Sequence, residues 1–247
     1  MKLFRSTVFT LAILGLAACS STSELSTTST TSTVSVPSAT EAKSTSSVAT
    51  SEQPSTFTAE VWADNWFSLY VNGKLVGEDS VPITTERSFN AETITFTASY
   101  PLTIAMITKD FKETDSGLEY IGEPNQQMGD GGFVAQFTDT ATGEIIATTN
   151  GDWRGLVIHT APLNVECEKS ADPDTDCQFE TLDEPVNWTS SNFDDSSWAN
   201  ATSYLADEVG VKDGYNEIMW ESTAEIIWGP NLNTNNTILW RTRIPQM

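Results

Sequence analysis

Apolar and polar residues alternate with a period of two along most of the chain after residue 57. In residues 67–71 (FSLYV), Phe67, Leu69 and Val71 share one face of an extended segment. Residues 93–98 (TITFTA) repeat the pattern, with apolar side chains at every second position. This spacing predicts strands that bury one face. Further strand candidates are LTIAMIT, GGFVAQFTD, GEIIATT, AEIIW and TILWRTRI.

Turn signals separate these runs. Asn72-Gly73 lies between two of them, and this pair predicts a tight hairpin because both central residues need a positive φ. Residues 140–143 and 233–236 also have turn composition, and residues 129–132 (GDGG) read as a turn before FVAQF. Almost no segment shows a helical apolar stripe. The pattern therefore predicts an all-β antiparallel fold, a sandwich or a barrel.

Composition divides the chain into three parts. Residues 1–18 combine a basic start with an apolar run too short to span a bilayer, which is typical of a secretion signal. Of the 37 residues from 20 to 56, 23 are Ser or Thr. Such a segment buries too little apolar surface to fold, so residues 19–56 are predicted to be a disordered tether. Residues 57–247 form the predicted domain, and all eight Trp lie within it.

The end of the signal, Leu16-Ala17-Ala18-Cys19, resembles the lipobox of bacterial lipoproteins. The resemblance implies cleavage before Cys19 and a lipid on its sulfur, and Ser20 implies the outer membrane. An ordinary signal peptide with an incidental Cys is the alternative. We therefore expect an exported protein that contacts the membrane through its lipid anchor only.

The remaining cysteines predict a disulfide, and the net charge limits the kinds of partner. Cys167 and Cys177 are the two thiols left in an exported chain, so they predict one disulfide. Asp and Glu number 34 against 12 Lys and Arg, for a net charge of −22. Such a surface repels phosphate backbones, which argues against a nucleic-acid partner.

The segment WTSSNFDDSSW (188–198) contains the most conspicuous acid pair in the sequence. Adjacent side chains of an extended segment point to opposite faces, so Asp194 and Asp195 cannot converge on one scissile bond. Trp188, Phe193 and Trp198 can instead bury apolar area and hold the loop on a sheet. The motif therefore predicts a structural corner.

Together with residues 63–74 (ADNWFSLYVNGK), 146–154 (IATTNGDWR) and 239–244 (LWRTRI), this motif resembles the galactose-binding-like jelly roll. That domain also occurs as the sugar-binding module of several glycoside hydrolases. The resemblance covers most of residues 58–247 and implies a jelly-roll sandwich that binds carbohydrate. It also implies a structural Ca²⁺ in many members, whose ligands cannot be matched here residue by residue.

Sugar binding would use an exposed aromatic side chain with hydrogen-bonding neighbours. Trp153 between Asp152 and Arg154 is the leading candidate, at the expected end of a strand. Trp66, beside Asp64 and Asn65, is the second. For each of these tryptophans, and for Trp62, Trp220 and Trp228, packing in the core is the alternative.

Metal and catalytic chemistry have weaker signals. Asp172, Asp174 and Asp176 alternate inside the predicted disulfide loop and could converge on Ca²⁺. Cys177 stands where a calcium loop needs Gly, and no helices flank the segment, so a solvated acidic loop is the favoured alternative. The single histidine, His159, lies in an apolar context (LVIHTAP) without the signature of a catalytic triad.

We therefore expect a non-catalytic carbohydrate-binding protein at the cell surface that requires no cofactor. The alternative is an envelope protein-interaction module without glycan binding.

Overall fold

Fifteen strands form most of the regular structure in the computed structural model, which describes residues 53–83 and 89–246. In chain order they are β1 (Ser55–Asp64), β2 (Trp66–Val71), β3 (Lys74–Glu78), β4 (Ala91–Ala98), β5 (Leu102–Lys109), β6 (Leu118–Glu119), β7 (Gln127–Met128), β8 (Gly132–Asp139), β9 (Glu144–Thr148), β10 (Arg154–Thr160), β11 (Glu180–Thr181), β12 (Ala199–Asn200), β13 (Thr202–Tyr204), β14 (Ile226–Trp228) and β15 (Asn235–Ile244).

The helical elements are short. They are α1 (Pro173–Asp176), α2 (Ala206–Val209) and two 3-10 turns, Val165–Lys169 and Tyr215–Glu217. In the described part of the chain, no helix has the length and apolar character needed to cross a membrane. The predicted signal peptide, Cys19 and the tether up to residue 52 lie outside the described residues.

Two antiparallel sheets make up the fold. Sheet A has the strand order β13-β14-β8-β1-β4, and β9 also pairs with β8. Sheet B has the order β11-β10-β15-β5-β2-β3, and β12 also pairs with β10. The sheets pack in two layers, which confirms the all-β antiparallel sandwich predicted from the sequence. A separate small hairpin joins β6 and β7.

The core between the sheets follows the predicted alternation. Phe67, Leu69 and Val71 of β2 point inward, and Phe96 of β4 lies in the same core with Ile94 and Ala98 packed against it. Burying one such side chain contributes about 1.5–3 kcal/mol. The core also includes alternating residues of β1, β5, β8 and β15, among them Phe57, Ala59, Val61, Ala63, Leu102, Ile104, Met106, Phe133, Ala135, Phe137, Ile238 and Trp240.

The turns predicted at Asn72-Gly73 and at residues 140–143 are present, whereas residues 129–131 form an irregular link between β7 and β8 instead of the predicted turn. Asn72 and Gly73 have φ of 50° and 81°, and Tyr70 pairs with Leu75 across this turn, as the hairpin signal requires. The turn at residues 140–143 joins β8 to β9. The turn predicted at 233–236 ends earlier, because β15 already begins at Asn235. The predicted cysteine pair is also found, since Cys167 and Cys177 lie at disulfide distance.

The loop of residues 188–198 covers the outer face of sheet B. Trp188 and Trp198 are buried against Ala105, Ile107 and Leu239, and Phe193 packs at their edge. The rings of Phe193 and Trp198 meet edge to face, with centroids 5.5 Å apart. The large aromatic side chains thus hold the loop on the sheet.

Arg241, on the outer face of β15, lies between sheet B and this loop and binds the loop. Its side chain is fully buried, and its Nε lies 2.7 Å from Oδ2 of Asp195. Its other nitrogens donate to the carbonyl oxygens of Trp188 and Ser190. Asp194 instead faces solvent and accepts from the backbone N–H of Ser196. The two adjacent acids therefore point apart, as the sequence argument required.

Replacing Asp195 by Ala should lower the free energy of unfolding by about 3 kcal/mol, because it leaves the buried guanidinium of Arg241 without its counter-ion. The matched control is Asp194→Ala, which removes an exposed carboxylate and should change stability little. Urea denaturation of both variants measures the difference. Equal losses in the two would contradict the structural assignment.

Candidate functional site

A surface cavity of about 470 Å³ lies at the end of the sandwich where β1 begins. Tyr100 contributes its aromatic ring, which packs edge to face against Phe57 of the core with centroids 5.4 Å apart. Carboxylate, hydroxyl and amide groups line the rest of the cavity, supplied by Gln53, Ser55, Asp139, Thr142, Glu144 and Gln246. An aromatic ring with convergent polar groups is the usual composition of a small-molecule site.

The cavity is acidic. Burial raises the pKa of Tyr100, and the negative charges of Asp139 and Glu144 raise it further, so the phenol stays protonated. Asp139 uses one oxygen to accept from the N–H of Ala141 at 2.8 Å. Glu144, the first residue of β9 after the same turn, is exposed. The site therefore offers hydrogen-bond acceptors and negative charge beside an aromatic ring.

A cluster of carboxylates occupies the opposite end of β1. Asp64 ends β1 in sheet A, Asp110 directly follows β5 of sheet B, and Asp130 precedes β8. One oxygen from each of the three side chains lies within 4.8 Å of those of the other two. Asp64 is 1% exposed and Asp110 2%, whereas the side chain of Asp130 is 37% exposed.

Lys212 supplies a positive charge to this cluster. Its Nζ lies 2.9 Å from Oδ2 of Asp64 and 2.9 Å from Oδ1 of Asp130. It also lies 4.6 Å from the ring centroid of Phe89. Burial opposes its charge, yet the two aspartates together raise the pKa of Lys212 above its ordinary value.

The acids themselves resist ionisation. Burial raises the pKa of Asp64 to about 7, against the opposing charge of Lys212. Burial also raises the pKa of the neighbouring Glu119 to about 8, and the charges of Asp130 and Asp64 add to this shift. The pKa of Asp110 is raised well above its ordinary value by burial and then by Glu119. Among the described residues, the charge of Lys212 therefore does not offset the effect of burial on the pKa of these carboxyls.

The structure contradicts the prediction that Trp153 presents a sugar-binding face. Trp153 is 1% exposed and packs against Phe133 and Phe137 in the core. Its Nε1–H donates to the carbonyl oxygen of Thr148 at 3.0 Å. A ring of this size gains more free energy from burial in the core than from contact with solvent, although Trp153 lies just before the start of a strand.

The neighbours of Trp153 do not form a site with it. Asp152 is exposed. Arg154 donates to the carbonyl oxygen of Trp198 and to Oδ1 of Asn200. Its guanidinium therefore holds the loop of residues 188–198 in place.

The second predicted sugar-binding group, Trp66 with Asp64 and Asn65, does not form one site either. Trp66 remains partly exposed, but Nζ of Lys109, its partner across the ladder, lies 5.0 Å from its ring centroid. Asp64 belongs to the carboxylate cluster. Asn65 is buried, and its side-chain oxygen accepts from the N–H of Phe111. The other candidates, Trp62 and Trp228, are fully buried, and Trp220 is partly buried.

The aspartates of the disulfide loop are not brought together as ligands. Asp172, Asp174 and Asp176 lie on or beside α1 and are exposed, and Asp176 accepts from the hydroxyl of Ser170. Within the described residues, the carboxylates that converge are Asp64, Asp110 and Asp130. The helical turn of α1 directs alternating side chains away from one another, and their exposure agrees with the solvated acidic loop that the sequence favoured.

Sequence reasoning did not find Asp110, Glu119, Asp130 or Lys212. They are widely separated along the chain, and each stands in an ordinary polar context. The available signal was slight: Asp110 follows an apolar strand after one residue, and Asp130 stands between glycines. Only the pairing of β1 with β8 in sheet A, and the packing of β5 of sheet B against them, shows that these positions meet.

Comparison with models of protein families, with curated proteins and with solved structures finds no match for this chain. The likeness of its motifs to the galactose-binding-like domain therefore stays a prediction.

His159 allows a test of stability against pH. It is 4% exposed on β10, stacks on Phe179 and has its Nε2 3.5 Å from Oδ1 of Asp115. Burial lowers its pKa to about 4, and the charge of Lys112 lowers it further, while Asp115 opposes the shift. The unfolded chain, with a histidine pKa near 6.5, therefore takes up this proton first as pH falls.

Protonation of His159 should therefore have no effect on the free energy of unfolding above about pH 6.5. As the pH falls from there to about 4, protonation of the unfolded chain should lower the free energy of unfolding by about 2–3 kcal/mol. The control is His159→Gln, which removes the titration. Urea denaturation of both proteins between pH 7 and 4 gives the difference in their unfolding free energies. A difference that does not vary with pH would contradict the prediction.

Proposed function

We propose that this chain is a lipid-anchored, non-catalytic carbohydrate-binding protein of the cell envelope, and that it holds a neutral sugar in the cavity around Tyr100. The observation that carries the proposal is that cavity, with an aromatic ring and hydrogen-bonding groups directed toward one space. Neither predicted tryptophan is free for this role, because Trp153 is buried and Trp66 lies under Lys109.

The lining suits a polyol. The ring of Tyr100 can contact the C–H face of a pyranose, and the carboxylates of Asp139 and Glu144 can accept from its hydroxyl groups. The amides of Gln53 and Gln246 both donate and accept. The two carboxylates repel anionic sugars, which favours neutral glycans over sulfated or uronic ones.

The expected position of the protein agrees with this role. Lipid at Cys19 would hold the protein on the membrane, and the Ser/Thr-rich tether would let the domain reach glycans at the cell surface. β1 begins at Ser55, so it includes the last two residues of the predicted tether, and Ser55 borders the cavity.

A glycan array with the purified protein should show binding to neutral glycans and weaker binding to sulfated ones. Tyr100→Leu and Glu144→Gln should each weaken the strongest interaction about tenfold or more, as measured by titration calorimetry, because each removes one contact to the sugar. Thermal unfolding of each variant verifies that the fold is intact.

Trp66→Ala is the matched aromatic control and should bind as the wild type does. Wild-type binding in the Tyr100 and Glu144 variants, or loss of binding in the Trp66 variant alone, would place the ligand elsewhere. An array without any signal would contradict carbohydrate binding itself.

One feature favours the alternative, an envelope protein-interaction module. Four apolar side chains near the disulfide are about half exposed: Leu163, Val165, Phe179 and Leu182. Leu163 and Gln178 are joined by a backbone hydrogen bond, so the two flanks of the disulfide loop run side by side. Exposed apolar groups of this kind are common at protein interfaces. Cross-linking on intact cells that is lost in Phe179→Asp but kept in Tyr100→Leu would support this alternative.

A further inference from the structure

We propose that Asp64, Asp110 and Asp130 form a binding site for Ca²⁺, and that Lys212 is the internal counter-ion of this site when the cation is absent. The site lies at the end of β1 opposite the cavity around Tyr100, and it is separate from the proposed function.

The donor set fits a hard cation. The three ligands are carboxylates, with one oxygen of each within 4.8 Å of those of the others, a separation that oxygens around a single ion can have. Oxygen-only donors suit Ca²⁺, Mg²⁺ or Mn²⁺ and disfavour softer metals. Because Asp64 and Asp110 are buried, few waters could complete the shell. Ca²⁺ accepts such an irregular site more readily than Mg²⁺, which usually keeps several waters.

Asp110 gives an independent reason to expect a ligand here. Both of its carboxylate oxygens are buried, and within the described residues neither has a hydrogen-bond donor. Oδ1 of Asp64 is in the same condition. Buried carboxylates without a partner are strongly unfavourable, so residues placed this way are usually paired or bind a metal.

The backbone is built closely around Asp110. A Cβ placed on Gly129 would lie 1.8 Å from Oδ2 of Asp110, so a side chain at this position would displace the carboxylate. Gly129 directly precedes Asp130, the third ligand. The glycine thus allows the loop before β8 to bring Asp130 against Asp110.

Lys212 occupies the solvent side of the cluster. It pairs with Oδ2 of Asp64 and with both oxygens of Asp130, and its side chain is 34% exposed. Within residues 53–83 and 89–246, Oδ1 of Asp64 and the carboxylate of Asp110 have no hydrogen-bonded positive partner. The partly exposed Asp130 and Lys212 provide the path from solvent that a cation needs.

The test uses the full chain after treatment with a chelator. Thermal unfolding is recorded with increasing CaCl₂, with MgCl₂ in parallel, and binding is measured by titration calorimetry. We expect the Tm to rise with Ca²⁺ concentration, because a ligand of the native state stabilises it by mass action. Mg²⁺ should give a smaller shift at equal concentration. A wild-type protein with no Ca²⁺-dependent Tm and no binding heat would overturn the proposal.

Asp110→Asn should weaken Ca²⁺ binding at least tenfold because the neutral amide cannot supply a carboxylate ligand, and its Tm without Ca²⁺ should equal or exceed that of the wild type because the side chain has nearly the same size and cannot ionise in this buried position. If this variant does not fold, Asp130→Asn serves the same purpose, since Asp130 is partly exposed. The control combines Asp172→Asn, Asp174→Asn and Asp176→Asn, and it should keep the full Ca²⁺ response. Loss of the response in that control alone would assign the cation to the disulfide loop.

The variant Lys212→Met tests whether Lys212 is the counter-ion of the cation site or only part of an ordinary surface ion pair. Without Lys212 the carboxylates lack their internal cation, so we expect a lower Tm in the absence of Ca²⁺, a larger Ca²⁺-dependent rise and at least tenfold tighter binding. A Tm lowered equally with and without Ca²⁺ would contradict this role of Lys212.

Discussion

The register of strand pairing within each of the two sheets is the constraint on which the rest of this structure depends. Side chains alternate between faces, so a slip of one residue in any central strand would exchange its core face for its outer face. In β1 the residues Phe57, Ala59, Val61 and Ala63 must therefore point inward together. Once they do, the positions of Tyr100 at one end and Asp64 at the other are determined by the length of the strand.

The outer faces of the two sheets are covered in different ways. On sheet B, the loop of residues 188–198 is held by the buried Arg241 as well as by its aromatic side chains. On sheet A, Trp62 and Val134 are covered by Val209 of α2 and by the segment that follows it. This second cover also brings Lys212 to Asp64 and Asp130. The same residues thus complete the packing of sheet A and the electrostatics of the carboxylate cluster.

The two proposed sites use polar groups of different kinds because their surroundings differ. The cavity around Tyr100 is open, so its carboxylates remain hydrated and can exchange water for the hydroxyl groups of a ligand. The cluster at Asp64 and Asp110 is buried, so its carboxylates have lost water and need a positive charge in its place. A neutral sugar fits the first environment, and a small cation fits the second.

The sequence by itself determined the fold class, the hairpin at Asn72-Gly73, the cysteine pair and the structural role of WTSSNFDDSSW. Each of these depends on residues that are close together along the chain or on a local periodicity, and a local pattern can be read without knowing the tertiary structure. Signal peptide, anchor and tether remain predictions of the same local kind.

Only the tertiary structure decided which side chains meet. Trp153 and Trp66 each directly follow a polar residue, Asp152 or Asn65, yet Trp153 is buried in the core and Trp66 is partly exposed beside Lys109. Asp64, Asp110, Asp130 and Lys212 come together from across the domain because β1 pairs with β8 in one sheet and β5 of the other sheet packs against them. Composition and periodicity carry no information about such pairings, since burial and charge at a site depend on neighbours that are far away in the chain.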